Sequence, residues 1–168
     1  MLLTLVRHAY AGQPDKDKWP DDDERPLTQT RGVQKFSKAA SGLGELVKPT
    51  PTHVYSAPAK RTWQTAKLLH SEAGWPIPMA DQAMEDGQPA ETQLALLKKL
   101  QDEKHDSIAL VGHGPELDNL LSLLLSGEPG KVKAKLKKGG AICLKMPGGP
   151  GSAELQWMMS RKALAKHS

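Results

Sequence analysis

The chain has 168 residues, of which 38% are hydrophobic and 25% charged, with a formal net charge of +4. That balance suits one globular domain with a single core and excludes a disordered chain, a collagen-like repeat and a coiled coil. The longest strongly apolar run, residues 120–125, falls far short of the ~18 residues a spanning helix needs, so no membrane segment is expected.

Residues 2–6 form a short apolar run with a polar stop at Arg7-His8, the pattern of a buried strand. Residues 12–25 hold two prolines and six acidic residues, the composition of an exposed loop. Thr28 suits a helix N-cap. Val33, Phe36, Ala39, Ala40, Leu43, Leu46 and Val47 then recur at helical spacing until Pro49 and Pro51 end the pattern. Residues 52–56 read as a second strand. A helix over 60–73 carries Trp63, Ala66 and Leu68 or Leu69 inward, and Gly74 closes it. A short strand is expected over 77–80 and a helix over 89–100, with Leu94, Leu97 and Leu100 on one face. Residues 107–112 form a strand that runs into His113-Gly114-Pro115. Pro115 fits the first turn of a helix whose positive end suits Glu116 and Asp118. Leu117, Leu120, Leu121, Leu124 and Leu125 give that helix its core face. Strands over 139–146 and 153–159 flank a Pro/Gly turn. The order β-α-β-α-β-α-β-α-β-β predicts an α/β fold, a three-layer α/β/α sandwich with a mostly parallel central sheet and an antiparallel tail, as one domain over residues 1–168.

Several function classes drop out. The sequence pI is about 9.1, but only one Phe and two Tyr are present and the four Trp are scattered, so no nucleic-acid partner is expected. The alternating lysines of residues 131–138 read as an exposed edge strand or loop. Cys143, the single cysteine, sits in an apolar run and reads as a core residue. Without disulfides or a basic leader before residues 2–6, a cytoplasmic location is expected.

In open α/β sheets, ligands bind beyond the carboxyl ends of the strands. Three predicted strands end there in useful residues: Arg7-His8, Ser56 with Arg61 shortly after, and His113. Two guanidinium forks match phosphoryl oxygens, and a neutral imidazole is a competent nucleophile near neutral pH. The dinucleotide, Walker, nucleophile-elbow and zinc-protease signatures are absent, and no structural zinc or other metal site can be read. His53, His70, His105 and His167 sit in polar contexts and read as solvated.

Leu5-Val6-Arg7-His8-Ala9-Tyr10-Ala11 resembles the opening signature of the histidine phosphatase superfamily, which includes the phosphoglycerate mutases. Arg25-Pro26-Leu27-Thr28 with Gly32 resembles the next segment of the SixA-type phosphohistidine phosphatases. The stretch from Ser56 to Ala66 resembles the segment with the family's second arginine, and Val111-Gly112-His113-Gly114-Pro115 that with its second histidine. The resemblance runs through nearly the whole chain, in the family's order. It implies a phosphoglycerate mutase-like fold and a metal-independent phosphatase without cofactor. His8 would be transiently phosphorylated, Arg7 and Arg61 would hold the nonbridging oxygens, and His113 would donate to them as an imidazolium. Arg25 would border the phosphate pocket.

Two positions depart from the family pattern. Ala9 stands where Gly is usual, adding a methyl group close to the phosphate. The loop that supplies a general acid in many members here offers Glu85-Asp86 without the mutase-like surroundings. Imidazole leaves phosphohistidine with less help from an acid than an alkoxide needs. Glu85 as a weak acid therefore points to a protein bearing phosphohistidine as substrate. The alternatives are a phosphomonoesterase for a small phosphate ester and a noncatalytic module that binds phospho-ligands. The acidic residues of the 12–25 loop flank the expected pocket mouth, either as a solvated loop or as a field that selects partners.

Overall fold

In the computed structural model, which describes residues 1–168, six strands form one sheet in the order β3-β2-β4-β1-β5-β6. The strands are β1 (Leu2–Arg7), β2 (His53–Ser56), β3 (Met79–Ala80), β4 (Ser107–Gly112), β5 (Ala141–Lys145) and β6 (Glu154–Met159). The first four lie parallel to one another, while β5 runs antiparallel to both β1 and β6. The helices are α1 (Lys35–Leu46), α2 (Lys60–Ala73), α3 (Ala90–Asp102), α4 (Gly114–Ser126) and α5 (Arg161–Leu164).

The period-two alternation of the strands sorts their side chains into two cores. Leu3, Leu5, Ile108, Leu110, Ile142 and Leu144 face the layer of α3 and α4. Val6, Val54, Ala109, Val111 and Ala141 face α1, α2 and α5. Because β4 is buried along its whole length, both faces fix its register: a slip of one residue would exchange the two cores. That register pairs Arg7 with Gly112 and Ser56 with Val111. The chain therefore leaves β1 at His8 and β4 at His113, side by side.

The architecture follows the sequence expectation, with local differences. The strand expected over 77–80 shrinks to Met79–Ala80, and Ile77 is exposed. Pro76 and Pro78 flank Ile77 and supply no N–H to a ladder. The helix expected from Thr28 opens with a π-helical turn over Gln29–Gln34 before α1 begins, and the Thr28 side chain accepts from the Gly32 N–H. Val33, Leu46, Leu94, Leu125 and Trp63 are half-buried, although the helical patterns turned them inward. The 131–138 segment is a loop, pinned where the Leu136 N–H donates to Asp118 Oδ1 at 2.9 Å. His53 and His105 are half-buried instead of solvated, packed edge to face with centroids 4.3 Å apart. Trp75, which no periodic pattern included, is a fully buried core residue.

Helix α5 also had no sequence forecast, being only four residues long. Its Leu164 is buried in the α1 core. A Cβ on Gly42 of α1 would collide with the Leu164 carbonyl, so α5 seats closely because position 42 is bare. Gly42→Ala is expected to destabilise the fold by ~1–3 kcal/mol, the usual cost of overpacking. Urea unfolding measures this, and an unchanged midpoint would mean that the α1–α5 contact yields freely.

Candidate active site

The end of β1 is held from both sides. The His8 N–H donates to the Gly112 carbonyl at 3.0 Å, and the Gly139 N–H donates to the carbonyls of Arg7 and His8 at 3.1 and 3.0 Å. The His8 ring lies 2.7 Å, through Nδ1, from the Ala9 carbonyl. A carbonyl only accepts, so Nδ1 carries the proton and Nε2 keeps its lone pair. The next peptide is anchored as well. The Ala9 N–H donates to Thr65 Oγ1 at 3.0 Å, and the Thr65 hydroxyl donates to the Arg61 carbonyl at 2.7 Å. This ties the β1 exit to the first turns of α2. The Ala9 side chain is fully buried in the α1/α2 core, so its methyl group adds to packing and does not narrow the crevice.

His113 stands at the start of α4 in extended conformation. Its ring lies 5.6 Å from that of His8, inclined by 66°. Both imidazoles are 5% exposed. Burial pushes the His8 pKa down to about 3, with His113, Arg61 and Arg7 acting in the same direction and the Ala9 hydrogen bond opposing. Burial also lowers the His113 pKa, assisted by Arg61 and Arg7 and opposed by Asp86 and Asp23. Both rings are therefore neutral at pH 7 in this structure. The imidazolium expected of His113 concerns the phosphate-bound state; in the free protein burial, with Arg61 beside it, disfavours the charged ring.

Arg7 Nη1 donates to the Leu136 carbonyl at 2.8 Å. Arg61 Nη1 donates to the Asp22 carbonyl at 2.8 Å, and its Nη2 lies 3.3 Å from Asp22 Oδ2. Arg7 Nε, Arg61 Nε and His113 Nε2 are buried without a hydrogen-bond partner. Arg25 is also buried, but its fork grips Asp22 through Nε and Nη2 at 2.8 and 3.2 Å. Its Nη1 donates to the Ala11 and Gly12 carbonyls at 3.3 and 3.1 Å. Arg25 thus meets Arg61 across one shared carboxylate. Hydrogen bonding to Arg25 holds Asp22 below the usual carboxylate range, with the Arg61 charge adding to the effect.

Carboxyl groups gather on the other side of His113. Glu85, Asp86 and Asp23 share with it a small cavity of about 70 Å³. Glu116, 7% exposed, accepts from the Gly87 N–H at 2.8 Å and so ties the 85–87 turn to α4. Burial raises its pKa, and the neighbouring Asp86 raises it further. Sequence reading missed Asp22, Thr65 and the bracing roles of Glu116 and Asp118. Asp22 lay hidden in an acidic run, and Glu116 and Asp118 were explained by the helix end alone. No three His, Cys, Asp or Glu side chains group in a way that could hold a metal ion. No helix is long and apolar enough to cross a membrane.

No protein-family model matches the chain. An uncharacterized protein from Picosynechococcus sp. is 29% identical over 156 residues, covering 93% of this chain and 89% of that protein. Among solved structures, the protein histidine phosphatase SixA in complex with tungstate superposes with a TM-score of 0.79 at 20% identity, over 98% of this chain and 99% of that one. A mycobacterial glucosyl-3-phosphoglycerate phosphatase gives 0.71 at 16% identity, over 95% and 98%. The phosphoserine phosphatase of Entamoeba histolytica with 3-phosphoglyceric acid gives 0.68 at 20% identity, over 97% and 98%. The fold is therefore that of the phosphoglycerate mutase-like histidine phosphatases. Its neighbours include enzymes named for protein and for small-molecule substrates, so the fold alone does not choose between them.

The two arginines, their unpartnered nitrogens and His113 form a crevice suited to a tetrahedral oxyanion. A Cβ on Gly114 would lie 2.7 Å from Arg7 Cζ, so the Arg7 guanidinium needs a bare position there. Gly114→Ala is expected to weaken vanadate binding by about 10–100-fold, the scale of a misplaced binding group, with little change in the urea midpoint. Calorimetric titration with vanadate tests this; unchanged affinity would mean that Arg7 has room to shift.

Proposed function

We propose that the chain is a phosphatase that works through transient phosphorylation of His8, and that its substrate is phosphohistidine carried on a protein. One observation carries the reading: the His8 ring, fixed by its Nδ1–H bond to the Ala9 carbonyl and neutral at pH 7, sits beside His113 in the field of two arginines. A module that only binds phosphate has no use for a neutral nucleophile aligned in this way.

His8 Nε2 attacks phosphorus, and the bond from phosphorus to the leaving nitrogen breaks as that nitrogen takes up a proton. Water then attacks phospho-His8, releasing inorganic phosphate and restoring the imidazole. Arg7 and Arg61 hold the nonbridging oxygens and stabilise the charge that they share in the transition state. The dianion raises the His113 pKa, so that His113 becomes a cationic donor once substrate is bound. These cationic groups supply the neutralisation for which a metal ion would otherwise serve. Arg25 acts at one remove, holding Asp22 and through it the Arg61 fork.

The protein substrate is favoured by what surrounds the crevice. The recess next to Arg7 is about 700 Å³ and offers one hydrophobic residue, Tyr10, whereas small-molecule sites are mostly apolar and closed. A second reading, a phosphomonoesterase for a small ester, draws on Glu85 and Asp86 beside His113, where an acid would protonate an alkoxide.

The test is phosphate release, with chelator present, from a phosphohistidine-bearing protein and from phosphoserine. Faster release from the protein, lost in His8→Ala, is expected. Faster release from phosphoserine would transfer the proposal to the second reading, and no release from either would leave a binding module. Glu85→Gln adds a separate measurement. It is expected to slow hydrolysis of the ester by ~10²–10⁴-fold, the usual contribution of a general acid, and to leave phosphohistidine hydrolysis nearly unchanged. Equal losses on both substrates would remove the argument from leaving groups.

A further inference from the structure

We propose that the basic recess beside Arg7 docks an acidic polypeptide segment that flanks the phosphohistidine of the substrate protein; this rests on the phosphatase reading above. Eight of the nine residues that line the recess are Arg or Lys. They come from the π-helical turn before α1, the first residue of α1, the 131–138 loop and α5, and Arg7, at the end of β1, joins this recess to the crevice. The ion pairs of the chain are Asp22 with Arg25 and Arg61, Glu103 with His105, and Glu128 with Lys131. None neutralises a cation of the recess.

The concentration of charge is larger than the net charge suggests. Apart from these eight residues, the chain carries fifteen Lys and Arg against nineteen Asp and Glu. The recess therefore holds positive charge on an otherwise mildly acidic molecule. Lys138 registers the crowding: burial and then the charges of Arg7, Arg25, Arg61 and Arg31 lower its pKa. Such a cluster repels itself and is relieved by an incoming anion.

The chemistry of the lining selects the kind of anion. Arg7, Lys138 and Arg161 are half-buried, and the other five cations of the recess, Arg31, Lys35 and Lys137 among them, are exposed. A small polyphosphate site calls for rigid, desolvated forks. A single-stranded nucleic acid calls for free aromatic faces, but the one ring, Tyr10, has Arg31 over it at 3.9 Å. Exposed lysines across an open recess suit the carboxylates of a polypeptide, which they attract over distance and bind without fixed geometry. The opposite flank of the mouth repels the same segment. There Asp21, Asp23 and Glu24 outnumber the single cation, Lys60, along a recess of about 390 Å³. An acidic segment is thus guided to the Arg7 side, which orients the phosphohistidine over His8.

Two synthetic phosphohistidine peptides of equal length test this, one with a run of Asp and Glu after the phosphohistidine and one with Ser and Gly. The parent protein is expected to prefer the acidic peptide by about 10-fold or more in kcat/KM at low salt, with the preference fading toward about 0.5 M salt. The triple variant Arg31→Glu/Lys35→Glu/Lys137→Glu is expected to erase or invert the ratio; if it does not fold, Lys137→Gln is expected to reduce it. Equal rates on the two peptides, or a preference that survives the charge reversal, would overturn docking while leaving the phosphatase reading intact. Binding of the unphosphorylated acidic peptide to His8→Ala, followed by calorimetry, separates the two ideas. Binding that depends on Arg31, Lys35 and Lys137, with no turnover of either phosphopeptide, would uphold docking and sink the phosphatase reading. Tighter binding of tripolyphosphate or a single-stranded oligonucleotide than of the peptide would replace the polypeptide with that ligand.

Discussion

The parallel register between β1 and β4 places two histidines and an arginine in one crevice, and the rest of the site depends on it. Pairing Arg7 with Gly112 makes His8 and His113 the next residues out of adjacent strands. That pairing is held by both cores at once, because Leu3 and Leu5 face one helical layer while Val6 faces the other. The geometry of the site is a by-product of core packing. Groups that repel one another when charged stay together because moving them would uncover the core.

The crevice manages this repulsion in two ways. Its histidines are neutral, since burial beside the arginines disfavours imidazolium. Its arginines are braced largely by carbonyl groups. Leu136 accepts from Arg7, and the Asp22 carbonyl accepts from Arg61. A carbonyl dipole satisfies a guanidinium donor without cancelling its charge. The one carboxylate in contact, Asp22, is divided between Arg61 and Arg25 and is half exposed. Asp118 acts on Arg7 through a peptide: it accepts from the Leu136 N–H, whose carbonyl holds Arg7. The positive field is thus preserved, with the orientation of both guanidinium forks already fixed.

How much of this was legible in the sequence depends on the range of the interaction involved. Strands and helices set by local periodicity were readable, and β4 and α2 match their expected spans, Ser107–Gly112 and Lys60–Ala73. That Arg7, His8 and His113 lie together was readable because each stands at the end of a predicted strand of one parallel sheet. The loss of the strand at Ile77 was also written locally, in Pro76 and Pro78. By contrast, α5 forms because Leu164 finds the α1 core, which four residues cannot announce. Thr65 and Asp22 depend on contacts across 56 and 39 positions respectively. Nothing in a run of acidic residues distinguishes the one that will meet an arginine.

The same acidic run shows why net charge describes this molecule poorly. Asp22 turns inward to hold Arg25 and Arg61, and Asp21 caps the short turn that follows it through the Asp23 N–H. The loop is therefore kept in place by the arginines it borders, and Asp23 and Glu24 are left exposed on one flank. The lysines of the 131–138 loop are kept in place independently, by the Leu136 contacts. Two charge patches of opposite sign are thus anchored to Arg61 and to Arg7, the pair that brackets His8. A field anchored in this way has a direction, and that direction is built from the bonds that hold Arg7 and Arg61 still. Changing the charge at the mouth without disturbing the crevice therefore requires residues such as Lys35 or Lys137, which take no part in those bonds.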